Sequence, residues 1–150
     1  MLKFIYQVIR GNHNGAIFKL FLTSAVVFLI FDLFWLLVAS KKMYQQFIGD
    51  LMGDVKLAPA VIFYFIYVVG VTFFVLLPGT EKGSLGYTIL AGALFGLVCY
   101  ATYDLTNLAT LKDWPITMTI IDLVWGTAVT TVTSVIVYFI NLHFFSGAGS

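Results

Sequence analysis

Residues 18–39 read FKLFLTSAVVFLIFDLFWLLVA, an apolar run with a lysine near its start and an aspartate, Asp32, in its second half. At about 1.5 Å per residue, a helix of this length crosses the ~30 Å hydrocarbon core of a bilayer. The run is longer than the ~7–15 apolar residues of a signal peptide, and it carries Asp32 and Trp35. We therefore expect a retained transmembrane helix.

Three further runs of the chain are long and apolar enough to span a membrane. Together with the first, they predict transmembrane helices at residues 18–40, 58–78, 85–111 and 116–142. The short links between the last three make them antiparallel neighbours, and Pro78 followed by Gly79 is typical of a helix end. The sequence therefore predicts an all-α fold, a single transmembrane domain in which four helices form an up-down bundle.

The composition indicates a protein whose solvent is lipid. Of the 150 residues, 61% are hydrophobic and 10% are charged, with a mean hydropathy of +1.00. Soluble domains have about half apolar and about a quarter charged residues. The net charge of +1 provides no basic excess, so the expected partner is the lipid bilayer and not nucleic acid. The single cysteine, Cys99, excludes a disulfide framework and a cysteine-based metal site.

The link between the first two helices, residues 41–57, has a pattern of its own. Apolar residues recur at helical spacing among polar ones, at Met43, Phe47, Ile48 and Leu51. This spacing is typical of an amphipathic helix that lies in the membrane interface, and a solvated loop is the alternative. A weaker pattern of the same kind covers residues 2–10, and the tail at 146–150 could be native or a tag remnant.

Three aspartates interrupt the apolar runs: Asp32, Asp104 and Asp122. A charged side chain at the centre of a membrane helix costs at least ~2.5–3.5 kcal/mol, so each needs a physical reason. From the helix ends, each lies about 10–12 Å from the same membrane face, which places all three in one layer with Tyr64 and Tyr67 of the second helix. Such a layer cannot hold three charges without cations, so at least one carboxyl is expected to be protonated.

Residues three or four apart share a helix face, and this rule extends the layer into a candidate site. It adds an aromatic or amide side chain to each aspartate. The candidate ligand-binding residues are Asp32, Trp35, Tyr64, Tyr67, Tyr100, Asp104, Asn107, Asp122 and Trp125. Among the carboxylates, Asp104 is the favoured ligand contact, because Tyr100 and Asn107 lie on its face.

Small residues predict where the helices pack closely. Gly92 and Gly96 give the third helix a small face of the kind that lets membrane helices approach each other. Gly126 is a small residue on the Asp122 face of the fourth helix. We expect these glycines to serve helix packing, within the chain or against a second copy of it.

One long stretch resembles a known family. Residues 99–112 read CYATYDLTNLATLK and are followed by Trp114-Pro115 and by DLVWGT at 122–127. With FDLFW at 31–35 and GALFGL at 92–97, this pattern is similar to that of domain-of-unknown-function family 2177, which consists of small predicted proteins of the bacterial inner membrane. The resemblance covers residues 19–140. It implies four helices and a multi-pass location in the bacterial inner (cytoplasmic) membrane, without an assigned activity.

Three classes of function fit the aspartate layer. The leading hypothesis is a site that binds or transports a small cationic or amphipathic molecule. The carboxylates would match its charge, aromatic faces would supply cation–π contacts, and a proton could be exchanged for the ligand. The alternative is a structural cluster that fixes helix register in an accessory or sensor subunit. A membrane-embedded enzyme is the least supported class, because no catalytic, metal-binding or phosphate-loop motif occurs, and no cofactor is indicated.

Overall fold

A computed structural model describes residues 14–145 of the chain. The predicted amphipathic pattern at residues 2–10 and the tail at 146–150 lie outside the described residues. Between residues 14 and 145 the protein is helical, and no strand occurs there. Four of its helices are long and apolar enough to cross a membrane, which confirms the all-α membrane fold.

The helices are numbered α1 to α5 in chain order. The first, α1, is an α-helix over Asn14–Phe34 that continues as a π-helical turn at Trp35–Ala39. A short helix, α2, covers Lys41–Ile48 and is followed by a 3₁₀ turn at Gly49–Leu51. The remaining helices are α3 (Leu57–Val71, a π-helical turn at Thr72–Leu76, then Leu77–Glu81), α4 (Leu85–Thr110) and α5 (Ile116–Ile140, then a π-helical turn at Asn141–Phe145).

The four long helices form a bundle in which neighbours along the chain are also neighbours in space. Helix α1 packs against α3 and α5, and α4 packs against α5 and the π-helical turn of α3. Because short links join α3 to α4 and α4 to α5, these helices run antiparallel. This is the up-down bundle that the sequence predicts.

The link between α1 and α3 contains the amphipathic helix that the apolar spacing predicts. One face of α2 is exposed and carries lysines and glutamines. Its other face is half-buried against the bundle and consists of Met43, Tyr44, Phe47 and Ile48. The link is therefore a helix packed on the bundle and not a solvated loop alone.

The bundle is apolar outside and rich in small polar side chains inside. Large apolar side chains are more than half exposed on every long helix, for example Leu37, Ile66, Leu90 and Val124. The buried serine and threonine side chains among the described residues are Ser24, Ser40, Thr72, Thr88, Thr119, Thr130, Thr133 and Ser134. Small residues of this kind let membrane helices pack closely and hydrogen-bond to one another.

The sequence predicts that the second long helix ends at Pro78 and Gly79. In the structure this helix, α3, continues to Glu81. Pro78 has no N–H, so the carbonyl four residues earlier, that of Phe74, loses its α-helical donor. The hydroxyl of Tyr87, on α4, donates to this carbonyl at 3.2 Å. Backbone groups in a membrane need such partners, and local π-helical adjustment, as in the turn at Thr72–Leu76 just before the proline, also lets a membrane helix accommodate proline.

Helices α4 and α5 approach each other closely along the predicted small residues. Gly92 lies against α5, and Gly96 lies against the carbonyl of Gly126 and the side chain of Thr130. A Cβ atom on Gly96 would overlap both groups, and one on Gly126 would overlap the ring of Tyr100. The backbones can therefore be this close because neither glycine carries a side chain.

Replacing Gly96 by alanine should push α4 and α5 apart, because the new methyl group would meet backbone as well as a side chain. We expect Gly96→Ala to cost about 1–3 kcal/mol of stability, measured as a lower Tm in detergent. Gly86→Ala is the matched control, because it lies on the same helix with nothing within 4 Å of the added atom. It should keep or raise the Tm. Equal Tm values for the two variants would contradict close packing at Gly96.

Candidate functional site

Asp32 of α1 is buried between the helices, with 5% of its surface exposed. Its Oδ2 accepts a hydrogen bond from the hydroxyl of Tyr64 at 2.6 Å. Its Oδ1 accepts longer bonds from the hydroxyl of Tyr100 at 3.3 Å and from the indole N–H of Trp125 at 3.4 Å. Donors from α3, α4 and α5 thus converge on one carboxylate of α1.

Two stacked tryptophans lie next to Asp32. Trp35 follows it by three residues, in the π-helical turn at the end of α1. Its ring stacks on that of Trp125, with 4.3 Å between the ring centroids and 10° between the planes. The stack fixes the Trp125 indole in the position from which its N–H reaches Asp32. π-helical turns are frequent at functional sites.

Asp122 of α5 has a donor from outside the four long helices. It is 3% exposed, and its Oδ1 accepts a hydrogen bond from the hydroxyl of Tyr44 at 2.8 Å. Tyr44 belongs to α2, so the amphipathic helix reaches a carboxylate in the interior of the bundle. Burial, with a further contribution from the charge of Asp122, raises the pKa of the Tyr44 hydroxyl far above its usual value. The hydroxyl therefore stays protonated and remains a donor.

Asp104 of α4 is the most deeply buried of the three aspartates, with 1% of its surface exposed. Its Oδ1 has no hydrogen-bond partner within the described part of the chain. Asp122 lies within electrostatic reach of Asp104 and of Asp32, so the three carboxylates form one connected group. Asn107, one turn further along α4, is half-buried and interacts with the hydroxyl of Tyr103.

Tyr67, one turn after Tyr64 on α3, joins helices and does not bond to a carboxylate. Its hydroxyl pairs with the hydroxyl of Thr130 on α5, which also donates to the carbonyl of Gly126 at 2.6 Å. Its ring packs on that of Phe28 on α1, with 4.4 Å between the centroids. Tyr67 thus connects α3 to α1 and α5.

The buried carboxylates lie apart from the cationic side chains of the described chain. Every lysine within residues 14–145 is exposed. The donors to Asp32 and Asp122 are phenol and indole groups, which carry no charge. An ionised carboxylate here has hydrogen bonds but no buried lysine to balance it, which is costly inside a membrane. Residues 14–145 also contain no group of three or more metal-ligating side chains that could hold a metal ion.

A cavity of about 570 Å³ lies beside Asp32. Its walls are mostly aromatic and apolar, and the residues that line it are Asp32, Leu36, Tyr44, Phe63, Tyr64, Cys99, Tyr100, Thr102 and Tyr103. Phe63 of α3 is 49% exposed and Tyr103 of α4 is 56% exposed. The cavity therefore opens sideways between these two helices, toward the lipid.

The cavity exists because α3 and α4 diverge. Near the loop that joins them the two helices touch, since Gly79 lies against Thr88 and Gly70 lies against the ring of Phe95. Toward α2 the helices separate, and aromatic side chains line the space between them. Asp32 of α1 lines the same space and gives it a carboxylate.

The structure places three of the predicted ligand residues in the cavity wall: Asp32, Tyr64 and Tyr100. Trp125 and Asp122 contact wall residues, the former through Asp32 and the latter through Tyr44. Four predicted residues remain. Trp35 stacks on Trp125, Tyr67 pairs with Thr130, and Asp104 and Asn107 lie on α4.

Two tyrosines in the cavity wall are not predicted from the sequence. Tyr44 lies on the half-buried face of α2 with Phe47. The apolar spacing of that helix is the sequence signal that could have indicated Tyr44. Tyr103 follows Tyr100 by three residues, so the rule that groups Tyr100 with Asp104 also applies to it. Neither signal shows by itself that the side chain lines a cavity, because that depends on the divergence of α3 and α4.

Comparison with known proteins gives one result. The model of domain-of-unknown-function family 2177, described as a predicted membrane protein, matches residues 17–139. No curated protein and no solved structure matches the chain. The family match extends from α1 into the last turns of α5 and includes all three buried aspartates. The chain therefore belongs to the predicted membrane proteins of domain-of-unknown-function family 2177.

Proposed function

We propose that this protein, in the bacterial inner membrane, binds or transports a small cationic or amphipathic molecule in the cavity beside Asp32. The observation that carries the proposal is a buried carboxylate in the wall of an aromatic cavity of about 570 Å³, whose donors among residues 14–145 are all neutral. The bacterial inner membrane is proposed from the family resemblance. Proton exchange and transport extend the binding proposal.

Charge is the first argument for a cationic ligand. An ionised Asp32 would be an uncompensated charge in a low-dielectric interior, which costs several kcal/mol. Hydrogen bonds from Tyr64, Tyr100 and Trp125 offset part of this cost without neutralising it. A cationic ligand beside Asp32 would neutralise the carboxylate. If the connected group of buried carboxyls holds a proton in the absence of ligand, the ligand would exchange for that proton.

The size and walls of the cavity are the second argument. Sites for small organic molecules have volumes of about 300–1,000 Å³ and mostly apolar walls with a few polar groups, and this cavity falls within that range. Tyr64, Tyr100 and Tyr103 contribute aromatic rings to the wall that contains Asp32. Such rings attract a cation through their faces, so they suit a ligand that is both positively charged and apolar.

The sideways opening is the third argument. Phe63 and Tyr103 flank the cavity on the lipid side of α3 and α4, and both side chains are about half exposed. A ligand dissolved in the bilayer could pass between them to Asp32. This route favours an amphipathic molecule over a strongly hydrated inorganic ion.

A structural role for Asp32 is the second candidate, and the convergence of donors supports it. Hydrogen bonds from α3, α4 and α5 to one carboxylate would fix the register of all four long helices. Interhelical hydrogen bonds in membranes average about 0.6 kcal/mol each, which is less than the cost of burying the charge.

Asp32→Asn should weaken the binding of tetraphenylphosphonium, a lipophilic cation, to the purified protein in mild detergent. The amide keeps the shape of the side chain and can still accept the bond from Tyr64, but it removes the charge. Losing a charge-assisted contact costs about 1.5–3 kcal/mol, or about ten- to hundredfold in Kd. Binding is measured from the rise of Tm with ligand concentration.

Two comparisons make this result specific. Asp104→Asn removes the carboxylate that the sequence favours as the ligand contact. Whichever variant loses more tetraphenylphosphonium binding identifies the aspartate that contacts the ligand. Triphenylphosphine oxide, an uncharged relative of the probe, should bind the parent protein and Asp32→Asn alike. If Asp32→Asn melts early and the cation does not stabilise the parent protein, Asp32 is a register lock and the binding site is wrong.

Proton exchange predicts that the cation binds more tightly as the pH rises. A protonated carboxyl must release its proton when the cation binds, so lowering the pH favours the proton over the cation. Calorimetric titrations of tetraphenylphosphonium in two buffers with different ionisation heats would count the protons released. Up to one proton per ligand is expected, and none at any pH between 5 and 9 would show that binding is not coupled to protons.

A further inference from the structure

We propose that α2 is a lid on the cavity, held closed by the hydrogen bond from Tyr44 to Asp122, and that its opening controls access to Asp32 from the membrane face that carries Lys41 and Lys42. The regulatory role rests on the ligand site proposed above. The movement itself does not, because opening of the cavity can be measured in the absence of any ligand. Three features of α2 indicate a lid: its attachment to the chain on either side, its packing on the bundle and the contacts of Tyr44.

The two ends of α2 are attached differently. Ser40, which precedes it, is completely buried, and its N–H and hydroxyl donate to the carbonyl of Trp35 at 2.8 and 3.0 Å. After α2, residues 52–59 are exposed, and a Cβ atom on Gly53 would have nothing within 4 Å. A fixed start and an unpacked end allow α2 to swing about Ser40 without disturbing the rest of the bundle.

The bundle holds α2 through a small contact. None of the residues of α2 is fully buried, whereas α5 buries side chains along its whole length, including Val129 and Val137. Segments with few buried apolar contacts are the ones that open locally at low free-energy cost. The hydrogen bond from Tyr44 to Asp122 is the polar contact that holds α2 to α5.

Tyr44 connects the lid to the site in two ways. Its side chain lines the cavity, and its hydroxyl is the donor to Asp122. If α2 swings away, part of the cavity wall leaves with it, and the cavity opens toward the membrane face that carries Lys41 and Lys42. Asp122 loses its donor in the same movement. Opening of the lid would therefore change both access to the cavity and the hydrogen bonding of a buried carboxylate.

Cys99 provides a built-in reporter of lid opening. It is the single cysteine of the chain, and it lines the cavity together with Tyr44. The lateral opening between α3 and α4 faces the detergent, so the probe is a sulfonated maleimide, whose charge keeps it in water. The rate at which it modifies Cys99, followed by mass spectrometry of the full chain in detergent, reports how often the cavity is open toward the membrane face that carries Lys41 and Lys42. Tyr44→Phe removes the bond to Asp122 and keeps the ring, so it should raise this rate about tenfold or more.

The matched control is Tyr87→Phe. It removes one hydroxyl that also makes a hydrogen bond, to the carbonyl of Phe74 on the far side of the bundle from α2. The rate of Cys99 modification should stay at the parent value. An unchanged rate in Tyr44→Phe would overturn the proposal, because it would show that the bond to Asp122 does not hold α2 closed. An equal rise in both variants would also overturn it, because it would show a general loosening of the bundle.

Hydrogen–deuterium exchange of the parent protein tests the same proposal without a variant. Amides of Lys41–Ile48 should exchange much faster than those of the α5 core around Val129 and Val137, because the lid opens while the bundle stays folded. Equal protection of the two segments would overturn the proposal, even if Tyr44→Phe failed to fold. Both measurements omit the cation, so they can succeed or fail independently of tetraphenylphosphonium binding.

Discussion

The hydrogen bond from Tyr64 to Asp32 represents the constraint on which this fold depends: a carboxylate buried in a membrane needs donors, and its own helix cannot supply them. At 2.6 Å this bond joins α1 to α3, while Tyr100 and Trp125 reach the same carboxylate from α4 and α5. Because every described lysine is exposed, neutral side chains take the place of counter-charges. Asp32 therefore holds the four long helices in position relative to one another, because no single helix could bury this aspartate alone.

Close packing elsewhere makes room for the site. Small residues bring α4 against α5 at Gly96 and Gly126 and bring α3 against α4 at Gly79 and Thr88. Since α3 and α4 touch near their connecting loop and α2 occupies the other end, the space between them widens toward Asp32. The cavity is thus a consequence of where the glycines lie as well as of the aromatic residues around it. Packing and binding use different parts of the same two helices.

The sequence predicts the helices well because length and hydropathy act locally, and the depth of each aspartate follows from helix geometry alone. Contacts between helices are less accessible to this reasoning. Beside Pro78, the carbonyl of Phe74 accepts a hydrogen bond from the hydroxyl of Tyr87, which belongs to another helix. The role of Tyr44 depends on how α2 docks, and the choice of Asp32 over Asp104 as the cavity carboxylate depends on the divergence of α3 and α4. These are tertiary effects that periodicity cannot show.

The structural and ligand-binding roles of Asp32 are compatible, because its two oxygens are held differently. Oδ2 has the short bond from Tyr64, which fixes the carboxylate to α3. Oδ1 has two bonds of 3.3 and 3.4 Å, from a hydroxyl and an indole N–H, beyond the usual ranges of about 2.5–3.0 Å and about 2.7–3.2 Å for these donors and correspondingly weak. A cation in the cavity could therefore take Oδ1 from Tyr100 and Trp125 at little cost while Tyr64 keeps α1 and α3 in register. On this view the register lock is what holds the carboxylate in place for a ligand.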